Sequence, residues 1–351
     1  MNTVGTVRGL FGAGLVCLDI IKTDKKTYYY NGGSCGNIVA ALSLLGWRNA
    51  VLVDQYKDEA AKILNHNLKL LGVKRIELAG SSFATPRIVE ELSSANGGIH
   101  RFLLSCPKCG SQLPRLRPLR EKAVRDLELN GFNVFYTDRS SRGIACLRKI
   151  FKAKGSWAIY EPNSSRNLGS LITNALNSHI VKFSSEKVSA TVADNLRDKA
   201  ISGSLLLIVR TLGKEGLVFS YRYKGNKMSK WIHMGVQHAP SFVDAAGAGD
   251  WCTAGLLYSL IGKYEHPRRY LVKEDVKAAL HYGQALAAIS CGFVGAQGLI
   301  YADVGEDIEQ SLLGTRNRAS HKGIIPAEPP ININNDFCDF CLLKKPDAIG
   351  E

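Results

Sequence analysis

The sequence predicts an α/β protein, and two patterns carry that expectation. Beyond residue 130, short apolar runs alternate with amphipathic stretches of helical period: Val134–Tyr136, Gly143–Lys152, Trp157–Tyr160, then Ile180–Glu186, a strand running into a polar turn and helix. Leu205-Leu-Leu-Ile-Val209 is apolar throughout, as a strand covered on both faces has to be. A chain of 351 residues can enclose a core of that kind. With 45% hydrophobic and 22% charged residues, its composition is ordinary for a globular domain. The apolar run Gly9–Ile21 is too short to cross a bilayer, is broken by Asp19 and lacks a cleavage pattern, so the expected compartment is cytoplasmic.

Taken in order, Phe11-Gly-Ala-Gly-Leu-Val-Cys-Leu-Asp19 reads as one buried strand ending in an acid. Its Gly12-x-Gly14 is not followed by the strand, glycine loop and helix of a dinucleotide fold, which removes that reading. Ile38–Leu45 and Asp58–Leu71 read as helices stopped by Gly46 and Gly72, with Val51–Val53 and Ile76–Leu78 as short strands. Thr85–Leu92 and Gly98–Leu104 form a strand pair joined by a Ser-Ser-Ala-Asn-Gly turn, and Arg120–Leu129 is expected to be helical. Leu217–Tyr223 and Met228–His233 make an antiparallel pair, and Val276–Cys291 a last helix.

The chemistry is expected in Val243-Asp-Ala-Ala-Gly-Ala-Gly-Asp-Trp251. Gly247, Ala248 and Gly249 allow a tight turn, and Asp250–Ile261 has one apolar helical stripe through Trp251, Ala254, Leu257 and Ile261. A small-residue turn opening a helix presents unpaired N–H groups and the positive dipole end, which suits a phosphoryl group. Asp250, in the first turn, can accept the proton of an attacking hydroxyl. This stretch resembles the C-terminal signature of the ribokinase-like (pfkB) carbohydrate kinases, Asp-Thr-x-Gly-Ala-Gly-Asp-x-Phe with a glycine three residues on. Asp244, Gly247, Ala248, Gly249, Asp250 and Gly255 match it; Ala245 and Cys252 replace the usual Thr and Phe.

The resemblance runs from about residue 9 to 300. It implies a three-layer α/β/α sandwich with a mostly parallel central sheet and a small β-sheet lid. It places a kinase domain at 9–314, with lid strands near 20–30 and 83–105, an insert at 106–118, and a polar tail at 315–351. It also implies ATP-dependent phosphotransfer, assisted by Mg²⁺, to a hydroxymethyl group of a sugar or nucleoside. Asp250 would be the base, Gly247–Gly249 the anion hole, and Asp244 part of the cofactor region. Asp19, Gly32, Gly33 and Asn37 stand where the family binds acceptor hydroxyls. A carboxylate and an amide orient a polyol, and the glycines let it lie on backbone; a helix cap is the other reading of Asn37. Glu161-Pro-Asn-Ser-Ser-Arg166 is similar to the family's Asp-Pro-Asn-x-x-Arg loop, which offers Asn163 and Arg166 to substrate, against a plain turn. Lys182, Ser184 and Glu186 follow the Lys-x-Ser-x-x-Glu pattern with one residue fewer, and Glu186 would order Mg²⁺ and its waters. Thr211, Gly213 and Gly216 resemble the nucleotide loop. The lid implies a homodimer contact. Arg87, His100 and Arg101 could face substrate from it, but solvated charges are the preferred reading. The residues leave open the acceptor and any monovalent-cation requirement.

Nine cysteines without a leader argue against a disulfide framework. Cys17, Cys35, Cys146, Cys252 and Cys291 lie in apolar or small-residue contexts and are expected to be buried. The other four form Cys106-Pro-Lys-Cys109-Gly110 and Cys338-Asp-Phe-Cys341, which the resemblance does not account for. Two-residue spacing puts both sulfurs of a pair on one ion, so one structural four-cysteine zinc site is preferred, with two half-sites, a redox pair or coincidence as alternatives.

A net charge of +14 raises a rival class: a catalytically impaired sensor or scaffold on the kinase fold, binding nucleic acid through a positive surface. The bases are scattered, the densest run being Arg115–Lys122, and scattered bases are usually a solvated face. The intact Asp250 also favours the enzyme.

Overall fold

The computed structural model describes residues 8–78, 82–93, 100–201, 203–225, 227–302, 326 and 336–345. Two sheets organise it. In chain order the first elements are β1 (Gly9–Gly12), β2 (Cys17–Thr23), β3 (Thr27–Gly32), α1 (Ser34–Leu44), β4 (Arg48–Val53), α2 (Glu59–Leu70) and β5 (Lys74–Glu77). Then come β6 (Arg87–Leu92), β7 (His100–Leu103), β8 (Val134–Thr137), α3 (Arg142–Ala153), β9 (Trp157–Tyr160), α4 (Leu168–Leu176), β10 (Ile180–Ser184) and α5 (Ala190–Lys199). The last are β11 (Leu207–Thr211), β12 (Leu217–Tyr221), β13 (Ile232–Met234), α6 (Ala248–Lys263), α7 (Lys273–Ser290) and α8 (Gly298–Tyr301).

The large sheet has the order β13-β12-β11-β10-β9-β8-β1-β4-β5, parallel from β11 to β5 with β12 and β13 antiparallel at one edge. Successive side chains on a strand face opposite sides, and the two cores divide accordingly. Leu10, Val51, Val134, Tyr136, Ile159, Ile180, Leu207 and Val209 join a core with α1, α6 and α7. Phe11, Ala50, Leu52 and Phe135 pack with α3, while Tyr160, Val181, Phe183 and Ile208 pack with α4 and α5. That division is the expected three-layer sandwich. α6 and α7 touch backbone to backbone: a Cβ on Gly255 would lie 2.6 Å from the Gly283 Cα. The second sheet, β3-β2-β6-β7, is the lid.

Three expectations change. Phe11–Asp19 is not one strand: β1 ends at Gly12, and the chain crosses to the lid, where Asp19 lies in the middle of β2. Small residues at 12–14 permit the crossing, since a Cβ on Gly14 would collide with Asp138 Oδ1 at 1.9 Å. α1 begins at Ser34, so Asn37 is inside the helix rather than ahead of it. Residues 120–129 form only a short turn of 3-10 helix at Glu121–Ala123. Val124 and Leu129 instead bury individually against Phe11 and Phe135, and tertiary packing overrides the helical spacing. The turn expected between β6 and β7 and most of the tail lie outside the described residues. Among the described residues no helix is long and apolar enough to cross a membrane.

Candidate active site

Because β1, β4, β8, β9, β10 and β11 run parallel, their C-terminal ends share one edge, which is where ligands settle in open α/β sheets. α6 begins over that edge. Gly247 caps it at a left-handed φ of 73°, and a Cβ there would lie 2.3 Å from the Ala296 Cβ, so glycine is required. Gly249 and Asp250 are in the first turn, whose amides have no intrahelical acceptor. The Ala248 amide donates to the Ala245 carbonyl at 3.2 Å, so one of the expected anion-hole donors is engaged within the turn. Asp244 is fully buried, and its oxygens accept from the amides of Ala246 (2.9 Å) and Gly295 (2.8 Å). It shapes the turn and locks it to the 295 loop.

The Asp250 carboxylate accepts a 2.7 Å hydrogen bond from Asn37 Nδ2. Asn37 Oδ1 in turn accepts from Gln297 Nε2 at 3.2 Å, and the Tyr301 hydroxyl donates to Gln297 Oε1. Asn37 thus orients the carboxylate, and its second amide hydrogen has no partner among the described residues. Burial raises the Asp250 pKa; the Asn37 bond and the charges of Lys182 and Lys187 work against that rise.

Asp19 projects from the lid toward the same place. It is buried, accepts from the Cys17 thiol at 3.1 Å, and lies so close to the chain that a Cβ on Gly32 would fall 1.7 Å from it. Gly33, with φ of 78°, caps α1 beside it. Burial is the largest effect on Asp19, followed by the lowering thiol bond and the raising charge of Asp250, and its pKa is pushed up to about 7. The folded protein therefore holds this proton between about pH 4 and about pH 7 while the unfolded chain does not. Stability from this group is full below the unfolded value and is lost as pH rises through the folded one. Melting curves of Asp19→Asn across that range are expected to be flatter than those of the wild type; an unchanged slope would contradict the shift.

Two arrangements here were not anticipated. Lys182, only 4% exposed, donates to the Gly249 carbonyl at 2.9 Å and faces Glu161 at 3.5 Å, while the Thr253 hydroxyl bonds both Glu161 and that carbonyl. This cluster braces the start of α6. Asp138, directly after β8, accepts from the Leu15 amide at 2.8 Å and pairs with Arg139. A polar pair at a parallel strand's C-terminal end was the available signal. Asn163 and Arg166 stand exposed on the loop after β9, and no hydrogen bond ties them to the Asp250 cluster among the described residues.

Farther along the edge, Thr211 ends β11 and leads into the turn Gly213–Glu215 and Gly216. Gly213 and Gly216 have φ of 59° and 89°, and a Cβ on Gly216 would meet the Met234 carbonyl at 2.2 Å. Ser184, paired with Thr211 across β10 and β11, has a buried hydroxyl without a partner among the described residues. Glu186 is exposed in the turn just after it.

The four remaining cysteines come together as the sequence predicts. The Sγ atoms of Cys106, Cys109, Cys338 and Cys341 all lie within 4.8 Å of one another, with 3.9 Å for Cys106–Cys338 and 3.6 Å for Cys109–Cys341. Sulfurs at about 2.3 Å from a tetrahedral zinc are about 3.8 Å apart, so the group could hold a metal ion of that size. The two pairs share one backbone form. Cys106 N bonds Ser111 O and Gly110 N bonds Cys106 O; Cys338 N bonds Leu343 O and Leu342 N bonds Cys338 O. Gly110 and Leu342 both have left-handed φ, 72° and 61°. Arg87, read from sequence as a solvated lid charge, is instead buried here: it pairs with Asp58 at 2.9 Å and donates to the Leu342 carbonyl. Arg101 is exposed, and the side chain of His100 lies outside the described residues. Of the other cysteines, Cys17, Cys35 and Cys252 are buried as expected, while Cys146 and Cys291 are only partly so.

Residues 133–301 match the family described as pfkB family carbohydrate kinase. The fold is similar to that of a ribokinase from Thermotoga maritima (16% identity, 86% of this chain and 98% of that one, TM-score 0.63). It is also similar to an adenosine kinase from Sinorhizobium meliloti (17% identity, 87% and 99%, TM-score 0.63). A fructokinase from Vibrio cholerae, in fructose-, ADP- and calcium-bound form, aligns at 16% identity over 83% and 95%, with TM-score 0.60. A search of curated proteins finds no match.

Proposed function

We propose that the chain is a ribokinase-like kinase of the pfkB family, which residues 133–301 match, and that it transfers the γ-phosphoryl group of ATP to a hydroxymethyl group of a sugar or nucleoside. The observation that carries the proposal is Asp250 in the first turn of α6, beside open amides and held by Asn37. Asp250 takes the proton of the acceptor hydroxyl as the oxygen attacks. The amides of Gly247 and Gly249 receive the charge that gathers on the transferred group, and Lys182 keeps that turn in place through the Gly249 carbonyl. Asp19 and the second Asn37 hydrogen orient the acceptor between the Gly32–Gly33 backbone and the lid. Thr211, Gly213, Gly216 and the Ser184 hydroxyl form the nucleotide end. Glu186 suits Mg²⁺, which keeps most of its waters and needs few protein carboxylates; bound there with ATP, the ion would neutralise phosphate charge. ADP release from Mg·ATP with a panel of sugars and nucleosides tests the proposal, and a protein that turns over none of them would not support it.

Asn37 has a separable role. A hydrogen bond to the ionised carboxylate favours ionisation, so its loss raises the Asp250 pKa further. In Asn37→Ala the acid limb of the kcat profile is expected to move to higher pH. A uniform fall in rate with an unmoved limb would assign Asn37 to acceptor binding alone.

The four-cysteine group is proposed to hold one structural Zn²⁺ that fastens the C-terminal pair to the lid. Support comes from the matched backbone form of the two pairs and from the bonds of Tyr29 and Arg87 to the Phe340 and Leu342 carbonyls. For a homodimer through the lid, the support is Phe102 and Leu104, each 53% exposed in or beside the edge strand β7.

A further inference from the structure

Most of the carboxylates gathered at the candidate site are answered. Asp138 has Arg139 and the Leu15 amide, Glu161 has Lys182 and Thr253, Asp250 has Asn37, and Asp19 has the Cys17 thiol. Glu90 is the exception. It is 4% exposed, and its Oε2 has no hydrogen-bond partner among the described residues. An unpaired buried carboxyl is costly, and a fold keeps one where a ligand completes it.

The direction of Glu90 follows from strand register. β6 runs parallel to β2, with Leu18 beside Arg87, Asp19 beside Ile88 and Ile21 beside Glu90. Leu18, Ile20 and Val89 pack on the outer face of the lid with the cysteine group, and Arg87 reaches the Leu342 carbonyl on that side. Alternation therefore puts Asp19, Ile21 and Glu90 together on the inner face. That face looks onto the catalytic turn, because Ile21 Cδ1 lies 2.2 Å from where a Gly295 Cβ would stand and Gly295 is bonded to Asp244. The charges acting on Glu90 are Asp19, Asp244 and Asp250, all acidic, and together with burial they raise its pKa well above the usual carboxylate range. Glu90 lies one strand across and two residues along from Asp19, about 8 Å between Cα positions, which is the span of a sugar ring with one substituent.

We infer that Glu90 sets the acceptor specificity of this pocket: it receives a donor group on the far side of the acceptor from the transferred hydroxyl, prefers a protonated amine there to a hydroxyl, and excludes phosphorylated sugars. This rests on the kinase reading for the placement of the acceptor. Burial and the neighbouring acids favour the proton on Glu90; an ammonium group releases it to solvent, pairs with the resulting carboxylate and fills its free lone pairs. A hydroxyl supplies only the hydrogen bond, and a phosphate would bring more negative charge against Asp19, Glu90 and Asp250, where no cation among the described residues acts on Glu90.

The test is direct binding without nucleotide, by calorimetry, using matched sets of a pentose, a hexose and a nucleoside, each with its amino-substituted and monophosphorylated analogue. In the wild type the amino analogue of at least one set is expected to bind about ten- to hundredfold more tightly than its parent, with the phosphorylated analogue the weakest. Glu90→Gln, which keeps shape but not charge, should erase the amine preference, change the parent's affinity by less than about threefold, and melt no lower than the wild type. The inference is overturned if no set binds, if a phosphorylated analogue binds as well as its parent, or if Glu90→Gln weakens all analogues alike. Because this readout needs no phosphotransfer, a protein that shows the amine preference but never releases ADP would keep the inference and lose the kinase activity.

Discussion

Replacing Asp250 by asparagine is expected to lower kcat about 10²- to 10⁴-fold while leaving the affinity for ATP within about twofold. The substitution preserves size and leaves the amides of the α6 turn in place, so the anion hole and the nucleotide end are undisturbed. What it removes is the acceptor of a proton. The neutral amide also loses the charge that Lys182 and Lys187 favour, but Lys182 keeps its bond to the Gly249 carbonyl and the turn should hold. Single-turnover kinetics with Mg·ATP and a working acceptor, beside ATP binding by calorimetry, separates the two quantities. Turnover within a few-fold of the wild type would remove Asp250 from the chemistry, and equal loss of ATP binding would mean that the turn itself had collapsed.

The second large effect is expected at the cysteine group. The protein should carry about one zinc per chain, and Cys338→Ser with Cys341→Ser should abolish it and lower Tm by about 10 °C or more. The size follows from the span of the site. Cys106 and Cys109 follow β7 of the lid, Cys338 and Cys341 come from the far end of the chain, and among the described residues 336–345 touch the body chiefly through Tyr29, Arg87 and the small core around Leu18, Ile20 and Val89. Without metal, four thiols and the buried Arg87 are left to hold that junction, so the lid loosens. Since the lid carries Asp19, KM for the acceptor is expected to rise more than KM for ATP. Metal analysis, thermal melts and the two KM values check this. A metal-free protein whose double variant melts like the wild type would refute the zinc site.

How much of this was legible beforehand differs from element to element. The strand Trp157–Tyr160 and the helix after Gly249 were read nearly to their ends, because each is a continuous apolar or periodic run whose own side chains suffice to define it. The helix expected at 120–129 failed because its apolar residues satisfy the Phe11–Phe135 core one at a time, a demand that only the neighbouring layer imposes. Asn37 was found but its bond was not: its partner, Asp250, is 213 positions away. Arg87 was misread for the same reason, since the Leu342 carbonyl that it meets is 255 positions distant. Glu90 gave no signal in sequence, because an acid in a lid strand looks the same whether its face meets water or a buried site.

The sequence by itself determined the α/β alternation, the tight glycine turn that opens α6 and the grouping of cysteines by two-residue spacing, because local periodicity, glycine at required positions and ligand spacing are written within a few neighbouring residues. Only the tertiary structure decided that both cysteine pairs share one centre, that Lys182, Glu161 and Thr253 brace the turn, and that the Glu90 Oε2 is buried without a hydrogen-bond partner among the described residues. Those facts depend on which distant segments the two sheets bring together, and the energy of a buried charge is set by whatever ends up beside it.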